Sequence, residues 1–240
     1  VPSSSASPVS IVVVDNASHD GTADLVASQF PHVTLIRNQT NRYYAAANNQ
    51  GLEHAGGEYV LLLNPDVVVG RDWLRQLIAP LLADETIAVA GCKLRYPGNE
   101  LLQHAGGYID NPQGFPGHYG VRQRDEGQFN SLRDVDYVIG AALAIRRHVL
   151  DDVGYWDEGF FLFYEDADFC YRARAAGYRV VYVPESGGGQ VAWVYMGLYP
   201  GAGAPGTGGV LPLSGMANHD AMVGALALFV LGSVFSIGLG

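Results

Sequence analysis

The chain has 240 residues, which is long enough for one large α/β domain with a complete core. Its 14 basic and 24 acidic residues give a net charge of −10, and no basic stripe is present to bind nucleic acid. An acidic protein that binds an anionic ligand needs a local cation, which favours a divalent metal. Two cysteines, Cys92 and Cys170, predict neither a disulfide framework nor a zinc site and fit a reducing, cytoplasmic compartment.

Apolar strands alternate with amphipathic helices from residue 9 to residue 185, after a polar leader at residues 1–8 that we expect to be flexible. Strands are predicted at 11–14, 33–36, 59–63, 87–90 and 179–183. Helices are predicted at 20–30, 44–54, 72–83 with an interruption near Pro80, 146–153 and 165–176. This alternation is typical of an α/β domain with a mainly parallel sheet flanked by helices. Residues 97–134 break the rhythm and predict an irregular insertion that lines one face of the site.

The composition changes after residue 185, and residues 186–240 form a Gly-rich apolar tail with Asp220 as its single charged side chain. The uncharged stretch 221–240 has about the length of a membrane-spanning helix. Its glycines and serines, and the lack of flanking Lys or Arg, are equally typical of a disordered C-terminus. Membrane association through this tail therefore stays open at this point.

A carboxylate follows the most apolar strand of the pattern. Tyr59 to Leu63 predicts a buried strand, and Asn64, Pro65 and Asp66 follow it. The carboxyl ends of parallel strands form the ligand crevice of such sheets. Magnesium or manganese often takes one or two carboxylates and completes its shell with phosphate oxygens, so Asp66 is a candidate metal ligand. The alternative is an ordinary Asn-Pro-Asp turn.

Another candidate segment follows the first predicted strand. Asp15 and Asn16 come directly after it, where their side chains would contact a nucleotide base or ribose. The alternative is that Ser18 or Asp20 caps the next helix. We favour capping for Asp20 and ligand contact for Asp15.

Three acids, Glu165, Asp166 and Asp168, occupy the first turn of a predicted helix after an aromatic run. Such acids commonly interact with the helix dipole, which is the structural alternative. A partly apolar pocket would instead raise their proton affinity, which suits a general base. The upstream segment Trp156–Glu158 would close the acceptor side of that pocket.

Three stretches carry a resemblance to a known family: VVVDNASHDGT (12–22), NRYYAAANNQGLEHAGGEYVLLLNPDV (41–67) and VIGAALAIRRHVLDDVGYWDEGFFLFYEDADFCYRARAAGYRVVYVP (138–184). Together they resemble the family 2 glycosyltransferases, in particular the rhamnosyltransferase-like branch, which has the GT-A fold. The resemblance covers residues 9–184 and rests on several motifs in the right order and spacing.

The resemblance implies inverting transfer of a sugar from a nucleotide-diphosphate donor to a glycan or lipid-linked acceptor at the inner face of the cell membrane. It implies Mg²⁺ or Mn²⁺ as cofactor. The implied roles are nucleotide binding by Asp15, Asn16 and Asn41, metal binding by Asp66, and catalysis by Asp166 as the base beside Glu165. Trp156, Asp157 and Glu158 would shape the acceptor pocket.

The chain departs from the family pattern in three places. The first strand and helix of the family, which precede the strand before Asp15, are expected to be absent, so the fold would be N-terminally shortened. Tyr43 replaces a glycine, and no histidine follows Pro184 until His219. A catalytically silent relative that binds a nucleotide or glycan is therefore the alternative. A response-regulator-like domain fits the acidic strand ends but leaves the Glu165–Asp166 helix unexplained.

Overall fold

The computed structural model of the protein describes residues 9–70, 72–97, 101–160, 163–184, 192–193 and 233–237. The predicted leader 1–8 lies outside these ranges, as does most of the predicted tail 186–240. The strands are β1 (Val9–Asp15), β2 (Thr34–Arg37), β3 (Tyr59–Leu63), β4 (Val67–Val68), β5 (Ile87–Cys92), β6 (Leu94–Arg95), β7 (Leu102–His104), β8 (Gly107–Ile109), β9 (Pro116–His118), β10 (Arg133–Asp134), β11 (Ala142–Arg146), β12 (Arg179–Val183), β13 (Ala192–Trp193) and β14 (Ser233–Ile237). The helices are α1 (Thr22–Gln29), α2 (Tyr43–His54), α3 (Trp73–Ala83), α4 (Arg147–Val153) and α5 (Glu165–Ala175).

The main sheet has eight strands in the order β10-β12-β5-β11-β3-β14-β1-β2. β1 pairs parallel with β2 and β12 pairs parallel with β5, whereas the other neighbours pair antiparallel. Because β11 and β14 each lie antiparallel between two strands, β1, β2, β3, β5 and β12 all run in the same direction. The α/β prediction is confirmed, and the sheet is mixed in its pairing.

Helices cover both faces of this sheet. On one face α2, α4 and α5 bury Leu52, Val149 and Phe169 against the larger core cluster. On the other face α3 buries Leu77 and Leu81 against the outward side of β3 and β5. The apolar strand β3 is buried along its whole length because both of its faces are covered.

One local prediction is wrong, and one strand was missed. α3 is continuous through Pro80, and the Asp84 amide donates to the Pro80 carbonyl to close its last turn. The helix survives because Leu77 and Leu81, four residues apart, anchor the same face in the core. β11 was not predicted at all. The insertion at 97–134 is irregular as predicted, with strands of two or three residues among its described positions.

β14 fills the position between β1 and β3, and it comes from within the stretch 221–240. Its residues pair antiparallel with Val9–Val13 on one side and with Tyr59–Leu63 on the other. No helix in the described part of the chain is long and apolar enough to cross a membrane. Apart from β14, the predicted membrane segment 221–240 lies outside the described residues.

A cross-strand disulfide tests this placement of β14. Val12 and Val234 are direct partners in the register, so Val12→Cys combined with Val234→Cys should oxidise to a disulfide. The pair Val12→Cys with Ser236→Cys is two residues out of register and serves as the matched control. Peptide mapping without reduction measures both. Equal disulfide yields in the two variants would contradict the register. The native cysteines, Cys92 and Cys170, are free and buried, and both double variants contain them.

Candidate active site

The carboxyl ends of β1 and β3 bring the first candidate residues to one edge of the sheet. Asp15 is the last residue of β1, and Asp66 lies three residues beyond the end of β3. The two strands run in the same direction with β14 between them. With strands about 4.8 Å apart, their backbones are separated by about 10 Å. A nucleoside diphosphate is long enough to span that separation.

The Asn16 side chain connects the end of β1 to the start of α2. Its Nδ2 donates to Asn41 Oδ1 at 2.8 Å, and its Oδ1 accepts from the Arg42 amide at 2.9 Å and from Asn38 Nδ2 at 3.1 Å. Tyr43 follows with a φ of 63°, in the left-handed region that favours glycine. The predicted nucleotide residues Asn16 and Asn41 therefore bond each other, and their contact with a nucleotide stays a prediction.

Asp15 is almost completely buried, and its Oδ1 accepts from the Ser18 amide at 3.3 Å. Asp20 acts at the start of α1, where its carboxylate accepts from the Thr22 amide at 3.0 Å and from the Thr22 hydroxyl at 2.5 Å. The N-cap of α1 is Gly21 and no side-chain capping bond is formed, so the prediction that Asp20 caps the helix is off by one residue. Ligand contact by Asp15 stays a prediction.

Asp66 lies in a tight turn, since the Val67 amide donates to the Asn64 carbonyl at 3.2 Å. The Asn-Pro-Asp turn considered as the alternative is therefore present, and the Asp66 carboxylate in it lacks a hydrogen-bond donor at one oxygen. Asp66 Oδ1 is buried and has no hydrogen-bond donor among the described residues. Burial raises the pKa of Asp66 to about 6.

These features of Asp66 fit a divalent cation. An adjacent cation would offset the unfavourable burial of the negative charge on Asp66, whose Oδ1 has no hydrogen-bond donor among the described residues. Carboxylate oxygen is a ligand that suits Mg²⁺ and Mn²⁺ alike. No group of three or more His, Cys, Asp or Glu side chains is arranged as a metal site in the described ranges. Magnesium and manganese often complete such a coordination shell with phosphate oxygens.

Glu165 and Asp166 open α5, directly after Phe163 and Tyr164, which both have positive φ values near 70°. Asp166 Oδ2 accepts from the Gly140 amide at 3.0 Å, and Oδ1 accepts from the Ala167 amide at 2.7 Å. Burial raises the pKa of Asp166 despite these donors. Burial, with a smaller contribution from the Asp166 charge, raises the pKa of Glu165 to about 7. A carboxylate of raised proton affinity is suited to take a proton near neutral pH.

The raised pKa of Glu165 predicts that this residue destabilises the fold at alkaline pH. Its folded pKa of about 7 exceeds its ordinary value of 4.5, so the folded state holds its proton more tightly than the unfolded state. Stability linked to this group is therefore present below about pH 4.5 and is lost as the pH rises through about 7. Glu165→Gln should raise the free energy of unfolding by about 1–3 kcal/mol at pH 8 and by little at pH 4.5.

Urea unfolding at the two pH values, with EDTA present, measures this difference. Glu53→Gln, on the exposed side of α2, is the control and should change stability by less than about 0.5 kcal/mol at both pH values. A Glu165→Gln variant that is less stable than the parent at pH 8 would contradict the expected sign.

Tyr44 brings the acidic groups from different parts of the chain into one place, and sequence reasoning missed it. Its hydroxyl donates to the Gly140 carbonyl at 2.7 Å, across 96 positions of sequence. Burial raises the pKa of Tyr44 well above its usual value, and the charges of Asp166, Glu165 and Asp66 raise it further. The charges of the metal candidate Asp66 and of the base candidate Asp166 therefore both act on one tyrosine hydroxyl.

The predicted acceptor residues lie beside α2. Asn49 clamps this segment, since its side chain accepts from the Trp156 amide at 3.0 Å, donates to the Trp156 carbonyl at 2.9 Å and donates to Glu158 Oε1 at 3.0 Å. The Trp156 ring is buried and packs edge-on against Phe169, at 4.5 Å between centroids. Asp157 is exposed and accepts from a nearby backbone amide. Their role in an acceptor pocket stays a prediction.

Comparison with known proteins identifies the family and the fold. The family model for glycosyl transferase family 2 matches residues 4–154. An N-acetylglucosaminyl-diphospho-decaprenol L-rhamnosyltransferase of Mycobacterium tuberculosis is 27% identical over 202 residues, covering 75% of this chain and 65% of the relative. An uncharacterised protein of Sinorhizobium fredii is 32% identical over 185 residues, covering 72% of this chain and 20% of the relative.

Among solved structures, GalNAc-T7 with UDP, GalNAc and Mn²⁺ superposes with a TM-score of 0.60 at 18% identity, over 77% of this chain and 37% of that one. The fold is therefore the GT-A fold of nucleotide-sugar transferases, as the sequence predicted. The chain belongs to glycosyl transferase family 2. It spans less than two thirds of the length of the two relatives named above.

Proposed function

We propose that the protein transfers a sugar from a nucleotide-diphosphate donor to a hydroxyl of a glycan or lipid-linked glycan, with inversion at the anomeric carbon. The observation that supports this most strongly is that the charges of Asp66, Glu165 and Asp166 all act on the Tyr44 hydroxyl, which is linked to Asp166 through Gly140. A group that holds the leaving diphosphate and a group that takes the acceptor proton must face one substrate. Asp66, three residues beyond the end of β3, and Asp166, at the start of α5, are the candidates for these two groups.

On the donor side, the diphosphate lies at the edge formed by the ends of β1 and β3. Asp15 and Asn16, with Asn41, contact the nucleoside end. Asp66 would hold a divalent cation, which when bound neutralises the charge that develops on the departing diphosphate.

On the acceptor side, Asp166 takes the proton from the attacking hydroxyl. The hydroxyl oxygen forms a bond to the anomeric carbon as the bond from that carbon to the diphosphate oxygen breaks. Entry and departure on opposite faces of the sugar produce inversion in a single displacement. Burial raises the pKa of Asp166, which makes it a stronger base than an exposed aspartate.

The rhamnosyltransferase of Mycobacterium tuberculosis supports a lipid-linked acceptor and a role in building cell-surface polysaccharide. With a lipid-linked acceptor, the reaction takes place at the inner face of the cell membrane, where a cytoplasmic nucleotide sugar meets a membrane-bound substrate.

Donor turnover tests the proposed function. The protein is incubated with UDP-, dTDP- and GDP-sugars, each with and without Mn²⁺, and release of the nucleoside diphosphate is measured. We expect Mn²⁺-dependent release from at least one donor. Nucleoside diphosphate binding without release would favour the catalytically silent module. If the protein neither binds a nucleoside diphosphate nor releases one, both the transferase and the silent module are rejected.

A further inference from the structure

The hydroxyl of Tyr44 is connected to the carboxylate of Asp166 through a single residue. Tyr44 Oη donates to the Gly140 carbonyl at 2.7 Å, and the Gly140 amide donates to Asp166 Oδ2 at 3.0 Å. Gly140 therefore has both of its backbone groups engaged, one by α2 and one by α5. These two bonds fix the position of Gly140 relative to both α2 and α5.

The packing at Gly140 is as restrictive as its hydrogen bonds. Gly140 is buried, and a Cβ built on it would collide with the Tyr44 hydroxyl. The hydroxyl therefore rests directly on the glycine backbone, with no room for a water molecule between them. A phenylalanine at position 44 would keep the ring but leave the buried Gly140 carbonyl without this donor, which is a costly state for a buried carbonyl.

We propose that Tyr44 is a positioning residue for the base: its hydroxyl holds Gly140 in place, and the Gly140 amide holds the Asp166 carboxylate toward the acceptor. This inference rests on the proposed function in assigning the base to Asp166. The hydrogen-bonded connection itself does not depend on that assignment. Tyr44 acts through Gly140 and is not expected to contact the acceptor.

Several titratable groups face Asp166 and contribute to its environment. Glu165 and Cys170 are on its own helix, Tyr44 comes from α2, and Tyr137 comes from the segment before β11. The Gly140 and Ala167 amides favour the charged form of Asp166. If the Gly140 bond weakens, the pKa of Asp166 rises, and the acid limb of the pH–rate profile moves to higher pH.

Hydrogen exchange at the Gly140 amide tests the connection without any substrate. In Tyr44→Phe we expect this amide to exchange about tenfold faster than in the parent, which corresponds to the loss of one ordinary hydrogen bond. Tyr171→Phe removes a hydroxyl from an exposed tyrosine on α5 and is the matched control. Unchanged exchange at Gly140 in Tyr44→Phe would overturn the proposal.

The kinetic consequence is measured with the sugar nucleotide that the parent turns over fastest. Tyr44→Phe should lower kcat about tenfold, leave KM for the donor unchanged and move the acid limb to higher pH, whereas Tyr171→Phe should change none of these. If Tyr44→Phe leaves kcat unchanged while Asp166→Asn abolishes turnover, the positioning role of Tyr44 is overturned and the base assignment stands. If Asp166→Asn transfers sugar at the parent rate, Asp166 is not the base, and this holds for any result of the hydrogen-exchange experiment.

Discussion

Asp166→Asn is expected to lower kcat by about 10²–10⁴-fold while donor binding changes little. The asparagine side chain keeps one of the two bonds that Asp166 accepts from the Gly140 and Ala167 amides, because its oxygen accepts whereas its NH₂ group only donates. It cannot take a proton from an acceptor hydroxyl. Steady-state kinetics with the preferred sugar nucleotide measure the loss, and calorimetry with the nucleoside diphosphate measures the binding that should persist.

Asp168→Asn is the matched control for this variant. Asp168 lies in the same first turn of α5, but its carboxylate accepts from Arg172 Nε at 2.8 Å, within its own helix. Its loss should cost at most about 1 kcal/mol of stability and leave kcat close to that of the parent. If Asp166→Asn transfers sugar at the parent rate, Asp166 is not the base. Equal losses in the two variants would point to damage to α5 instead.

Asp66→Ala is expected to abolish the metal dependence of nucleoside diphosphate binding and to lower turnover by about 10²-fold or more, since metal stabilisation of a leaving group is worth several kcal/mol. The buried Asp66 Oδ1 has no hydrogen-bond donor in the described structure, and burial raises the pKa of Asp66 to about 6. Removing such a group should not weaken the fold at pH 8, because the charged carboxylate is unfavourable there without a cation.

Calorimetry with and without Mn²⁺ measures the effect of Asp66→Ala. Asp72→Ala, a few residues downstream at the start of α3, removes a carboxylate that is largely exposed and paired with Arg75. This control should retain the gain in nucleotide affinity that Mn²⁺ gives the parent. A retained gain in Asp66→Ala would reject its role as the metal ligand.

Much of the fold could be predicted because its strands are apolar runs with clear ends. β3 and β12 have the predicted bounds, since each is a short apolar run bounded by polar or turn-forming residues. β11 was missed because Ala142–Arg146 is rich in alanine and leads directly into α4, so its composition favours a helix. Its two neighbours in the sheet, β3 and β5, override that local preference.

The candidate site could be predicted only where a motif marks it. Asp66 and Asp166 stand out because each follows a recognisable run of apolar or aromatic residues. Tyr44 and Asn49 do not, because their contacts with Gly140 and Trp156 cross about a hundred positions that no local pattern connects. β14 was missed for a related reason, since only the open position between β1 and β3 makes Ser233–Ile237 a strand of this sheet.

The most direct test of the account is to locate bound manganese by anomalous scattering in crystals grown with Mn²⁺ and whichever of UDP, dTDP or GDP binds tightest. We expect a manganese peak bonded to Asp66 and to the diphosphate, with the nucleoside toward Asp15 and the Asp166 carboxylate across the same cleft. Manganese and diphosphate bound away from Asp66, or Asp66 and Asp166 on separate surfaces, would contradict sugar transfer at this site.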